Sequence, residues 1–165
     1  MNDKSNFDPR LIFEANRSFG WIFKCNSLYR TNQDDRLRDL LAPHIHGPDN
    51  ACDLINPGLV LAACYIYFVY PRETVLEKID LSLLDSSAFK LSKNITTHKL
   101  VRRIRNSLSH GRFEINDRGI FVLSDNNLEG TDPFETEIHF TDLGEFAEEF
   151  AKLAIKSFSP NDNGQ

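Results

Sequence analysis

The chain has 165 residues, 41% of them hydrophobic and 26% charged, with a formal net charge of -5 and a pI near 5.5. That composition suits a globular domain with one real core, and the acidic balance excludes a protein coated all over for nucleic acid, so any such contact is local. Three cysteines and a polar start without an apolar secretory core predict a reducing, cytoplasmic setting, and the longest apolar run, Leu59 to Tyr70, falls short of a membrane span and ends at Pro71.

Asp8-Pro9 reads as a helix opening, the acid as N-cap and the proline as first helical residue. Ile12, Ala15, Phe19, Ile22 and Phe23 then recur at helical spacing, predicting a helix to about Tyr29. Trp21 and Phe13 lie off that stripe, available to a second helix or a subunit contact. Asn32 to Ala42 predicts a shorter helix on Leu37, Leu40 and Leu41. The turn-rich stretch His44 to Asp53 follows. It contains His44, His46 and Cys52, residues of metal-ligand type, but their spacing matches no ligand pattern, and a solvated loop is the simpler reading. No metal or other cofactor is expected.

Asn56-Pro57 opens an apolar helix, Gly58 to Tyr70, and a second segment from Arg72 to about Asp80 has one apolar face of Val75, Leu76 and Ile79. Tyr65, Tyr67, Phe68 and Tyr70 in so apolar a run read as core before they read as base-stacking groups. Cys25 and Cys64 sit inside apolar helical patterns, with no base at a defensible spacing for a nucleophilic thiol. Leu81 to Lys93 is irregular, and Asn94 to Thr97 caps the next helix.

That helix organises the chain. From Lys99 to Arg112 it reads K-L-V-R-R-I-R-N-S-L-S-H-G-R. Val101, Ile104 and Leu108, with Leu100 beside them, make a buried stripe. Cations occupy positions 99, 102, 103, 105 and 112, without an interrupting acid, and Gly111 stands where a left-handed stop wants glycine. Asn106 and His110 are i and i+4 and share a face that Arg102 continues one turn back. Arg105 and His110 lie about 140° apart around the axis, a separation a long arginine can reach round. A guanidinium that grips phosphate in a planar fork, beside an imidazole that moves protons near neutral pH, is a set suited to phosphodiester chemistry without a metal. Read as residues alone, His110 is also a helix-end imidazole on the last carbonyls, and Asn106 is equally able to orient His110, a phosphate or the bundle.

Beyond Arg112 the pattern changes. Phe113 to Ile115, the turn Asn116-Asp117-Arg118-Gly119 and Ile120 to Leu123 predict a hairpin. A polar loop, Ser124 to Glu135, leads to a half-buried strand, Thr136 to Phe140, and Thr141 or Asp142 then caps a final helix on Leu143, Phe146, Ala147, Phe150, Leu153 and Ala154. Between Phe113 and Phe150 there are eleven acids and one base, Arg118. They form either a solvated face or a field that repels RNA from everywhere but the basic helix.

Arg105-Asn106-Ser107-Leu108-Ser109-His110 resembles the R-(N/D/H)-x-x-x-H signature of the HEPN superfamily (higher eukaryotes and prokaryotes nucleotide-binding domains). The resemblance implies a mainly α protein, an antiparallel helical bundle with a small three-strand antiparallel addition after the motif helix and a final C-terminal helix. In residues, this is a single domain with a helical core of about 8–111 plus 142–158, a β addition of about 112–141 and a tail at 159–165. It also implies a metal-independent endoribonuclease that leaves 2′,3′-cyclic phosphate and 5′-hydroxyl ends, with Arg105, Asn106 and His110 catalytic. Arg102, Arg103, Ser109 and Arg112 are the candidate RNA- or phosphate-binding residues, at most one of Arg102 and Arg103 meeting substrate. The implied partners are single-stranded or looped RNA, a second copy of the chain with the motif at the interface, and an antitoxin or regulator. A non-catalytic HEPN module is the alternative.

Overall fold

The computed structural model describes residues 8–31, 35–36, 39, 55–71, 73–91, 93–126 and 130–158. Of the expected helix over Asn32 to Ala42 the structure describes Asp35, Arg36 and Asp39, which are helical; the rest of that stretch, the His44, His46 and Cys52 stretch and the tail from Ser159 lie outside these residues. The order of elements is α1 (Arg10–Arg30), α2 (Pro57–Cys64) running on into a π turn (Tyr65–Val69), the short α3 (Glu73–Leu76), a 3-10 turn (Leu81–Leu83), the motif helix α4 (Thr97–Ser109), strands β1 (Phe113–Ile115), β2 (Ile120–Asp125) and β3 (Phe134–His139), and α5 (Phe140–Phe158). The protein is mainly α with one small antiparallel sheet, as the sequence predicts.

Among the described residues the buried hydrophobic side chains other than Val75 form one cluster, with Phe68, Leu100, Ile104, Leu108, Leu143 and Phe150 all at 0% exposure. Its centre is aromatic: the Phe68 and Phe150 rings meet edge to face at 4.8 Å, and Phe89 meets Phe146 at 4.9 Å. Helix α1 starts one residue later than expected, with Pro9 rather than Asp8 at its N-cap, while the Asp8 carboxylate still accepts the Arg10 backbone N–H at 3.0 Å. Ile12 is buried and Phe19 packs on the cluster, whereas Trp21 is exposed.

The Gly58 to Tyr70 stretch departs from a plain α-helix. Its last turn is a π turn in which the Tyr70 N–H reaches the Tyr65 carbonyl at 2.9 Å. This extra residue per turn resets the helical phase. Tyr67 and Phe68 are buried as core, while Tyr65 is left half outside, its hydroxyl donating to the Leu108 carbonyl of α4 at 2.6 Å.

The sheet runs β1-β2-β3, and Phe121 of β2 pairs with Ile115 on one side and Ile138 on the other. The hairpin closes through Asn116, whose side chain accepts the Arg118 and Ile120 N–H groups, and through Gly119 at φ +73°. Lys90 covers the outer edge of β3: its N–H donates to the Glu137 carbonyl at 3.2 Å and its carbonyl accepts the Thr136 hydroxyl at 3.1 Å. The final helix begins earlier than expected, at Phe140 directly after β3. His139, rather than Thr141 or Asp142, supplies the acceptor at its start, Nδ1 facing the Thr141 N–H at 3.4 Å.

Candidate functional site

Helix α4 starts on Thr96, whose hydroxyl accepts the Lys99 N–H at 3.3 Å. It ends in a Schellman turn: the Gly111 N–H bonds the Leu108 carbonyl at 3.1 Å and the Arg112 N–H bonds the Ser107 carbonyl at 2.8 Å. Gly111 takes φ +63°, so the helix stops where the sequence says it should. His110 is the capping residue, its backbone N–H on the Asn106 carbonyl at 3.0 Å and its ring exposed. Among the described residues no side chain or carbonyl is hydrogen-bonded to that ring.

The strands bring a carboxylate to the motif. Asp125, at the end of β2 and 3% exposed, accepts from Arg103 Nη1 at 2.9 Å, from Asn106 Nδ2 at 3.1 Å and from Arg112 Nη1 at 3.2 Å. Arg103 makes a second ion pair with Asp132, which also meets Lys99 at 3.0 Å. The hydrogen bond from Lys99, and after it the charges of Lys99 and Arg103, hold the Asp132 carboxyl below the usual carboxylate range. Arg112 reaches Asp125 because its own carbonyl accepts the Ser124 N–H at 3.0 Å, which seats it beside β2.

The sequence-predicted residues therefore separate into groups. Asn106 and Arg102 line one surface groove of about 600 Å3, together with Lys99, Arg103, Asp125 and Asp132. Arg105 is half-buried and does not line that groove, and His110 and Ser109 are exposed and do not line it either. Arg103, a candidate phosphate contact in the sequence, is 8% exposed, with its guanidinium committed to two carboxylates. The acids beyond Phe113 are not simply a solvated face: Asp125 and Asp132 answer the helix cations, and Glu137 pairs with Lys90 at 2.7 Å.

Asp125 is the residue that sequence reading missed. Its signal is the period of β2, in which Phe121, Leu123 and Asp125 alternate onto the buried face. An acid in a buried slot of a strand requires a partner, and the basic helix supplies it.

Cys64 is fully buried, and burial pushes its thiol up, away from the thiolate a nucleophile needs. The described residues contain no group of three or more His, Cys, Asp or Glu placed to hold a metal ion, and no helix long and apolar enough to cross a membrane.

A family model described as HEPN pEK499 p136 matches residues 1–161, nearly the whole chain. The chain is a HEPN protein. No curated protein and no solved structure matches it. HEPN membership places the chain, in general terms, among nuclease or RNA-binding modules, and within it the motif Arg105-Asn106-x-x-x-His110 lies on the last turns of α4 and its capping residue.

Proposed function

We propose that this HEPN protein is a metal-independent endoribonuclease acting on single-stranded or looped RNA. The observation that supports this best is the exposed His110 imidazole at a glycine-stopped helix end, one turn from an Asn106 amide gripped by a buried carboxylate. In the reaction the RNA 2′-hydroxyl attacks the adjacent phosphorus, the bond to the 5′-oxygen breaks, and 2′,3′-cyclic phosphate and 5′-hydroxyl ends result. His110 moves the proton and Arg105 stabilises the charge that builds on the phosphate. In-line attack needs a backbone free to leave A-form geometry, hence the unpaired substrate.

Arg105 does not line the Asn106 groove of its own protomer. A homodimer with each motif facing its counterpart supplies a second arginine and histidine to each site, and the proposal includes that assembly, in a defence, stress or toxin–antitoxin setting in which a partner protein restrains it. The non-catalytic alternative has an observation in its favour: Lys99, Arg103 and Arg112 are all tied into ion pairs with Asp125 or Asp132.

One experiment separates the two. An end-labelled, mostly unpaired RNA is incubated in EDTA with wild type, His110→Ala and Arg105→Ala. Cleavage by wild type alone, leaving cyclic-phosphate ends, is the expected result. Intact RNA, with binding that survives both substitutions, makes the protein a binding module.

A further inference from the structure

We infer that Asp125 is a positioning residue for the motif, fixing the Asn106 amide so that its carbonyl oxygen, not its NH2, faces the groove and accepts the RNA 2′-hydroxyl. An asparagine side chain alone does not say which end meets substrate, because oxygen and nitrogen exchange places on a simple flip. Here the neighbour decides. Asp125 is 3% exposed and already accepts from two guanidiniums, Arg103 at 2.9 Å and Arg112 at 3.2 Å. A carboxylate so placed is an acceptor only, so the group 3.1 Å away on Asn106 must be the NH2. The flipped amide would set two acceptor oxygens against each other in a buried site.

The Asn106 oxygen is then the end left for the groove, where no described residue donates to it. An acceptor there does not suit a phosphate oxygen, which also only accepts. It suits a hydroxyl. On RNA the hydroxyl at hand is the 2′-hydroxyl, the group that separates RNA from DNA. Asp125 reaches this chemistry only through Asn106, and a strand that follows the motif in the chain thereby sets what the motif recognises.

The inference rests on RNA being the substrate but not on cleavage, and its test is a binding measurement. An unpaired RNA oligonucleotide and the DNA of the same sequence are titrated against His110→Ala and against His110→Ala/Asp125→Ala, which removes the oxygen shared by Arg103 and Asn106, with thermal melts on both proteins. One net hydrogen bond corresponds to about three- to tenfold in affinity. His110→Ala is expected to prefer RNA by at least that factor, and Asp125→Ala to erase the preference by weakening RNA relative to DNA. Equal weakening of RNA and DNA, a preference that survives, or no preference at the outset overturns the inference. If Asp125→Ala does not fold, Asn106→Ala in the His110→Ala background decides. It removes the acceptor oxygen from the groove; loss of the preference supports the inference and a preference that survives overturns it. Failure of the endoribonuclease reading shows separately, as RNA left intact by wild type.

Discussion

Replacing Asp125 by alanine should cost more than replacing Arg103 by methionine, although the two share an ion pair. Both side chains are withdrawn from water, at 10% exposure for Arg103 and 3% for Asp125, and removing one partner of a buried pair costs about 3–5 kcal/mol. Arg103→Met leaves Asp125 with Asn106 and Arg112 as donors, which sets the loss near the lower end, about 3 kcal/mol. Asp125→Ala leaves Arg103 only the more exposed Asp132 and orphans the Asn106 amide as well, placing it near the upper end, about 5 kcal/mol. At this chain length each kcal/mol moves Tm by about 2–4 °C, so calorimetry should show drops of roughly 6–12 °C and 10–20 °C. Arg103→Met/Asp125→Leu removes both charges and should recover much of the loss, since a well-packed apolar pair often equals a buried ion pair. Stability losses that simply add, to within about 0.5 kcal/mol, would refute the claim that Arg103 and Asp125 act as one unit.

Glycine substitutions should separate conformational strain from steric conflict. Gly111 and Gly119 both take positive φ, but a Cβ on Gly111 meets open space, whereas on Gly119 it would stand 2.6 Å from the Phe140 ring. Gly111→Ala should cost about 1–2 kcal/mol and Gly119→Ala clearly more, as read by urea unfolding; equal costs would contradict the packing of the hairpin turn on Phe140. Tyr65→Phe removes the hydroxyl on the Leu108 carbonyl and should lower stability by about 1 kcal/mol, with an unchanged unfolding midpoint arguing that water replaces the bond without loss. Because the Asp132 pKa is depressed in the folded state, its contribution is present above the ordinary carboxylate pKa, about 3.9, and is lost as pH falls through the lower folded value. Asp132→Asn should therefore destabilise at pH 6 and much less at pH 2; the same loss at both would assign the effect to shape rather than charge.

Much of the motif helix was legible in its sequence because several local signals agree there: a Thr96 cap, a stripe of Val101, Ile104 and Leu108, and a glycine stop. The hairpin was legible for the same reason, in Asn116 and Gly119. Arg103 was not. It reads as one more cation of a basic run beside the apolar stripe, and only a helix packed on two sides, by the π turn and by β2, buries a face wide enough to include it. Its partners lie 22 and 29 residues away, beyond any local pattern. The π turn was hidden for the opposite reason: a stretch apolar all round has no phase to read. The junction at Phe140 was missed because strand and helix abut without a linker, so a residue at strand spacing in the sequence begins the helix instead.

The clamp on Asn106 also fixes an order in time. A ribosome completes Arg105, Asn106 and His110 before it reaches Asp125, and reaches Asp132 later still. A chain halted between His110 and Asp125 has every residue of the motif and none of the carboxylate that orients it. A nascent or truncated product of this kind would carry the whole motif yet hold its asparagine in either orientation, and only the finished hairpin supplies the carboxylate.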